Sequence, residues 1–201
     1  MEIACIVEGE GEEAALPTLI DRIIREYCSG FWARAFIATN FHGRDKFQDE
    51  AAVRRAVDSA ARRVGSGGAV LILRDADDDC PVEEAQRLHE WARSARSDVH
   101  ISVVIAKREY EAWFIAAAES LRGFRGVRPD LQTPDAAETI GNAKGWLTLN
   151  MVRNQPYSPT AHQKAFSQRM DLLLARVRSS SFDKLCRDVL WLVDAIRRPE
   201  A

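Results

Sequence analysis

Residues Ala69-Val70-Leu71-Ile72-Leu73 form an unbroken apolar run that ends at Arg74-Asp75. A run this short, continuous and partly β-branched reads as a strand buried on both faces, and such strands sit inside sheets covered by helices. The rest of the chain agrees. Residues 3–7 are a second apolar run ending at Glu8-Gly9-Glu10-Gly11, after which Leu16, Leu19, Ile20, Ile23 and Ile24 recur at helical spacing. Pro17 suits a first turn better than a helix middle, so this helix is expected to start a few residues after Gly11 or to carry a kink. A strand over 35–39 and the loop Phe41-His42-Gly43-Arg44-Asp45 precede a helix from about Gln48 to Val64, stopped by Gly65-Ser66-Gly67-Gly68. Pro81 opens the next helix, residues 99–105 give a fourth strand, and 110–121 a further helix. Strands alternating with helices predict an α/β fold, Rossmann-like, with a mostly parallel central sheet and helices on both faces.

Past Gly123 no strand pattern remains. Thr133-Pro134 and Ser158-Pro159 each read as a capping residue followed by proline, the signature of a helix start. Phe166, Met170, Leu173, Leu174 and Val177 form one apolar stripe, and Phe182, Leu185, Val189, Leu192, Val193 and Ile196 another; both are expected in the core. The chain therefore divides into an α/β domain, residues 1–122, and a helical C-terminal extension, residues 123–201, packed on it.

With 201 residues, 46% hydrophobic and 29% charged, the chain can bury a full core, which excludes disordered and fibrous classes. No apolar run approaches the roughly 18–20 residues that span a bilayer. Glu2, Glu8, Glu10, Glu12 and Glu13 occupy the place of a signal peptide's basic and apolar regions, so a cytoplasmic protein without membrane association is expected. Cys5, Cys28, Cys80 and Cys186 lack zinc or redox spacing and read as reduced apolar residues. Charge is uneven: 18 basic and 25 acidic side chains over residues 1–143, against 10 and 5 over 144–201. The basic part could meet phosphates, or its charges simply face water.

Two acidic clusters fall at the C-terminal ends of strands, where open α/β sheets bind ligands. Glu8, Glu10, Glu12 and Glu13 follow the first strand; Asp75, Asp77, Asp78 and Asp79 follow the apolar run. Glu8 and Glu12 can face one point if one ends a strand and the other begins a helix, and Asp75 and Asp77 can do so as alternate residues. Like charges gathered in a crevice repel strongly unless a divalent cation sits between them, and all-oxygen ligands favour Mg2+ or Mn2+.

Other readings compete. Gly9-Glu10-Gly11-Glu12-Glu13-Ala14 has the GxGxxA spacing of a dinucleotide fingerprint, but its glutamates would oppose a pyrophosphate. Asp75-Ala76-Asp77-Asp78-Asp79 begins like an EF-hand loop, yet Cys80 and Gln86 stand where glycine and the bidentate glutamate belong. A phosphatase with an aspartate nucleophile, or solvated loop and helix-start acids with no site at all, also fit.

Val7-Glu8-Gly9-Glu10-Gly11-Glu12 resembles the first motif of Toprim domains, and Leu73-Arg74-Asp75-Ala76-Asp77 resembles their DxD motif, in the same order. With Arg108-Glu109-Tyr110-Glu111-Ala112-Trp113-Phe114 and Tyr157-Ser158-Pro159-Thr160-Ala161-His162-Gln163, the chain is similar to a family of uncharacterised bacterial Toprim-like proteins. That family is related to the overcoming-lysogenization-defect nucleases, in which a Toprim domain is fused to an ATPase. The resemblance implies a Toprim-like fold and a metal-dependent nuclease or nuclease subunit acting on nucleic acid, DNA ahead of RNA, with a separately encoded ATPase as a partner. It makes Glu8, Asp75 and Asp77 catalytic, Glu8, Glu12, Asp75, Asp77 and Asp79 metal ligands for Mg2+ or Mn2+, and places Glu109 and Glu111 on the rim. Lys144 is a candidate phosphate contact. A non-catalytic Toprim-like partner or regulatory subunit of an ATPase is the alternative. Trp113 and Phe114 read as core, and His162 as either a phosphate contact or a satisfied surface histidine.

Overall fold

The structure, a computed structural model, describes residues 1–198. Among these, β1 (Glu2–Val7), β2 (Arg34–Asn40), β3 (Ala69–Asp75) and β4 (His100–Ala106) form one parallel sheet in the order β2-β1-β3-β4. The chain leaves β1 for β2 on one side and then crosses back to β3 on the other. The order of the strands therefore reverses between β1 and β3, and their C-terminal ends flank the crevice where such sheets bind ligands.

Side-chain alternation along the strands feeds two cores. Ile3, Cys5, Val7, Leu71 and Leu73 face α1 (Glu10–Tyr27), α4 (Glu111–Ala116) and α8 (Ser180–Arg197). Ala4, Ile6, Val70 and Ile72 face α2 (Glu50–Val64) and α3 (Pro81–Ala95). The first core also takes in Leu147 of α5 (Ala143–Leu149), Phe166 of α6 (Lys164–Arg169) and Ala175 of α7 (Leu172–Arg178), so residues beyond 122 share the buried face of the sheet. Trp113, Phe114, Phe166 and Phe182 are all fully buried there, each contributing roughly 1.5–3 kcal/mol by leaving water.

Several local expectations change. The first helix begins at Glu10 rather than a few residues after Gly11, and Pro17 lies inside it. Glu13, whose carbonyl loses its helical partner to the proline ring, is exposed, so water can satisfy that oxygen. The helix expected over 110–121 ends at Ala116 and finishes as a tighter turn at Ala118–Leu121. No helix starts at Thr133-Pro134, because the Thr133 hydroxyl donates to Glu119 Oε2 at 2.6 Å instead of capping a turn. The start at Ser158-Pro159 is present, as a wide π turn over Pro159–Gln163 leading into α6. The stripe from Phe166 to Val177 is broken where Met170 turns extended. This re-phases α7, so Leu172 and Ala175 are buried while Leu173 and Val177 are 65% and 76% exposed. Among the described residues no helix is long and apolar enough to cross a membrane.

Candidate active site

Glu8 is the first residue past β1 and Asp75 the last of β3, so the fold sets them on neighbouring strand ends. Alternation sends Arg74 and Asp75 to opposite faces of the sheet. Arg74 turns toward α3, fully buried, and pairs with Glu84 and with Asp79 Oδ2 at 2.6 Å. Asp75 turns toward α1 and α4, where its Oδ1 accepts the Tyr110 backbone N–H at 2.8 Å. Glu8 lies at the strand edge between the two, with Oε2 3.8 Å from Arg74 Nε.

Above these residues is a cleft of about 540 Å³ lined by Glu8, Glu12, Asp75 and Lys144, with Gly9, Gly11, His42, Ser158 and Thr160 around it. The two glycines make room for the protein's own side chains. A Cβ on Gly9 would lie 2.7 Å from Glu12 Oε2, and one on Gly11 would lie 1.7 Å from Gln163 Oε1. Gln163 is fully buried and donates to Glu12 Oε1 at 3.2 Å, so the turn before α6 fixes a carboxylate on the first turn of α1. Gly9 caps α1 without a side-chain acceptor, and Gly9, Glu10, Gly11 and Glu12 all line the cleft.

The electrostatics are strained in one direction. Burial pushes the Glu8 carboxyl up to about 7, against the pull of Arg74 and with Asp77 and Glu12 adding to it. Asp75 is driven well above the usual carboxylate range, by burial first and then by Glu12 and Glu111. Glu8 Oε2 is buried with no hydrogen-bond partner. Oxygens in this condition are poorly solvated anions, and positive charge or protons relieve them. Among the described residues, no group of three or more His, Cys, Asp or Glu side chains is already gathered closely enough to hold an ion.

A model of a domain of unknown function, DUF4276, matches residues 7–190. The chain belongs to the DUF4276 family. The match includes Glu8, Glu12, Asp75, Lys144 and Gln163, and so the whole cleft. No curated protein and no solved structure matches this DUF4276 chain.

In this DUF4276 member Glu8, Glu12, Asp75 and Lys144 line one cleft, whereas Asp77 and Asp79 do not. Asp77 follows β3 with φ at 50° and rests its Oδ2 3.2 Å from Arg44, while Asp79 lies between Arg44 and Arg74. The hydrogen bond from Arg74 holds Asp79 below the usual carboxylate range. Asp75 and Asp77 diverge because β3 ends at Asp75 and the backbone turns to a positive φ at Asp77, so alternate residues no longer share a face. Lys144, in the first turn of α5, pairs with Glu109 and Glu111 rather than standing free. Glu111 is fully buried instead of lying on a rim. His162 bonds the Ser158 backbone and packs between Tyr157 and Phe166, away from the acids.

Arg74, Tyr157 and Gln163 lie inside the stretches that carry the resemblance and Glu84 outside them, and all four belong to the machinery around the cleft although the pattern gives none of them a role. The one available signal is Arg74, a charge directly after five apolar residues. An arginine there must be buried, and a buried arginine requires carboxylates nearby.

Proposed function

We propose that this protein is a divalent-metal-dependent phosphodiesterase acting on nucleic acid, a Toprim-like nuclease or nuclease subunit. The observation that carries this reading is the convergence of Glu8, Glu12 and Asp75 from two distant stretches of chain on one cleft at the reversal point of the sheet. The donor set fits Mg2+ or Mn2+: all ligating atoms are hard oxygens, and the Glu8 Oε2 atom is buried and unbonded. Glu8, Glu12 and Asp75 would hold the ion, which when bound stabilises charge on the attacking and leaving oxygens of a phosphodiester.

The chain's own groups supply the rest. Tyr110 N–H fixes one Asp75 oxygen and leaves the other facing Lys144 and the cleft. Gln163 orients Glu12. Arg74 keeps a positive charge beside Glu8 and anchors Asp79, so that the loop after β3 stays off the cleft floor. In the ion-free protein burial raises the Glu8 carboxyl to about 7, so below that pH this carboxyl would release the proton it holds when a divalent ion enters.

The second reading, a non-catalytic partner of an ATPase, draws on the arginines and the lysine that already neutralise much of the acidic clusters. The deciding experiment incubates purified protein with plasmid DNA, linear DNA and RNA in Mg2+ or Mn2+, beside Glu8→Gln and Asp75→Asn. Cleavage by wild type that both variants lose supports the nuclease. Equal product from all three proteins, or none from any, favours the non-catalytic reading.

A further inference from the structure

One wall of the cleft already holds a cation of its own. Lys144 Nζ lies 2.6 Å from Glu109 Oε2, 3.2 Å from Glu111 Oε2 and 4.0 Å from Asp75 Oδ2. The three carboxylates come from three places: the end of β3, the segment after β4, and the first turn of α4. Each is fixed independently of the lysine. Glu109 Oε1 accepts the Ala143 backbone N–H at 3.3 Å, Glu111 Oε1 accepts the Tyr157 hydroxyl at 3.0 Å, and Asp75 Oδ1 accepts from Tyr110. Glu111 is fully buried, and its Oε2 faces the ammonium with no hydrogen bond of its own. Lys144 is equally constrained, because Asn142 caps α5 and Glu109 grips the backbone one residue before it.

In two-metal phosphodiesterases a second ion sits about 3.5–4 Å from the first and shares a carboxylate with it. Asp75 is the carboxylate common to the two halves of this cleft, and the position beyond it is filled by an ammonium. We propose that Lys144 is the fixed second cation of this site, so that the protein takes up one divalent ion, at Glu8, Glu12 and Asp75, and not two. The single-ion count rests on the nuclease reading; the assignment of Lys144 as the fixed counter-charge of Asp75, Glu109 and Glu111 does not. A lysine tethered in this way cannot dissociate, so of the cationic charge beside a bound phosphodiester the single charge of the ammonium is permanent and the two charges of the ion depend on metal supply.

The test is a Mn2+ titration of the full chain without nucleic acid, counting bound ions per chain by calorimetry and by the loss of free-ion paramagnetic resonance, for wild type, Lys144→Arg and Lys144→Met. Removing the ammonium leaves Asp75, Glu109 and Glu111 without a counter-charge, so Lys144→Met is expected to bind one Mn2+ more than wild type. Lys144→Arg, which keeps a cation, is expected to match wild type. Where thermal melting shows that Lys144→Met does not fold, Lys144→Gln carries the same expectation. An equal count in the folded neutral variant and wild type overturns the assignment, and so does a wild-type chain that binds two ions. A wild-type count of zero with a gain of one in the variant leaves Lys144 in its role and counts against the nuclease reading alone.

Discussion

Glu8 Oε2 stops 3.8 Å from Arg74 Nε, and both atoms are buried without a hydrogen-bond partner. The arginine is already committed through its other nitrogens to Glu84 and Asp79. It lends Glu8 charge without holding it in place, and the glutamate keeps one oxygen for whatever enters the cleft.

Arg74 is thus expected to matter for stability first. Arg74→Met takes one of two counter-charges from Glu84, only 13% exposed, and leaves it held by Arg87. Breaking a buried pair from one side typically costs about 3–5 kcal/mol, and with Arg87 still in place urea denaturation should show a loss at or below the low end of that range. The double variant Arg74→Met/Glu84→Met should recover part of it, because the half-paired carboxylate is gone as well. Single and double variants of equal stability would mean that Arg74 acts through its packing rather than its charge.

The raised Glu8 pKa has a consequence for folding in the absence of metal. Its ordinary value is 4.5 and burial lifts it to about 7 in the folded chain. Between those values the unfolded chain gives up a proton that the folded chain keeps, so stability falls as pH rises through the window and levels off above it. In chelator-treated buffer, Glu8→Gln is expected to be more stable than wild type at about pH 8 and indistinguishable from it at about pH 4. Denaturation midpoints measured across that range check this, and a constant gap at every pH would assign the difference to packing.

Much of the fold could be read from the chain, for reasons that particular residues make plain. The run from Ala69 to Leu73 is apolar at every position because β3 is central and covered on both faces, and few other environments accept five apolar side chains in a row. Glu8 and Asp75 could be paired in advance because both end strands that the fold lays side by side. Asp77 could not be placed, since its direction depends on where extension stops, and that is set by tertiary hydrogen bonds such as Asp77 N–H to the Arg108 carbonyl at 2.9 Å. Leu173 and Val177 misled for a related reason. A single break at Met170 shifts the phase of the next helix, and nothing local marks it. The contacts of Lys144 and Gln163 span 35 and 151 residues, beyond the reach of spacing arguments.

Gly11 is predicted to be intolerant of a side chain although it lies in a helix. Glycine to alanine inside a helix ordinarily gains up to about 1 kcal/mol. Here the new methyl would fall 1.7 Å from Gln163 Oε1 and 3.0 Å from Pro159 Cβ. Gly11→Ala is therefore expected to lose about 1–3 kcal/mol, the usual cost of overpacking. Gln163→Ala removes the obstacle, so the two changes together should cost less than their sum. Strictly additive losses in a double-mutant cycle would show that the two residues do not meet in solution.

The arginine clamps separate the aspartates after β3 by role. Asp75 faces the cleft, whereas Asp77 and Asp79 lie on Arg44 and Arg74 and reach the site only by steadying the loop. In a Mn2+-supported cleavage assay, Asp75→Asn and Glu8→Gln are each expected to lower the rate by about 10²–10⁴-fold, the range for losing a group that acts on the reacting atoms. Asp77→Asn is expected to lower it by about tenfold, the smaller effect of a residue that only orients others. Raising Mn2+ should restore Asp77→Asn and leave Asp75→Asn inactive. If instead Asp77→Asn is as damaging as Asp75→Asn at every metal concentration, Asp77 must leave Arg44 and turn into the cleft when the ion binds. The separation into cleft and clamp would then belong to the metal-free protein only.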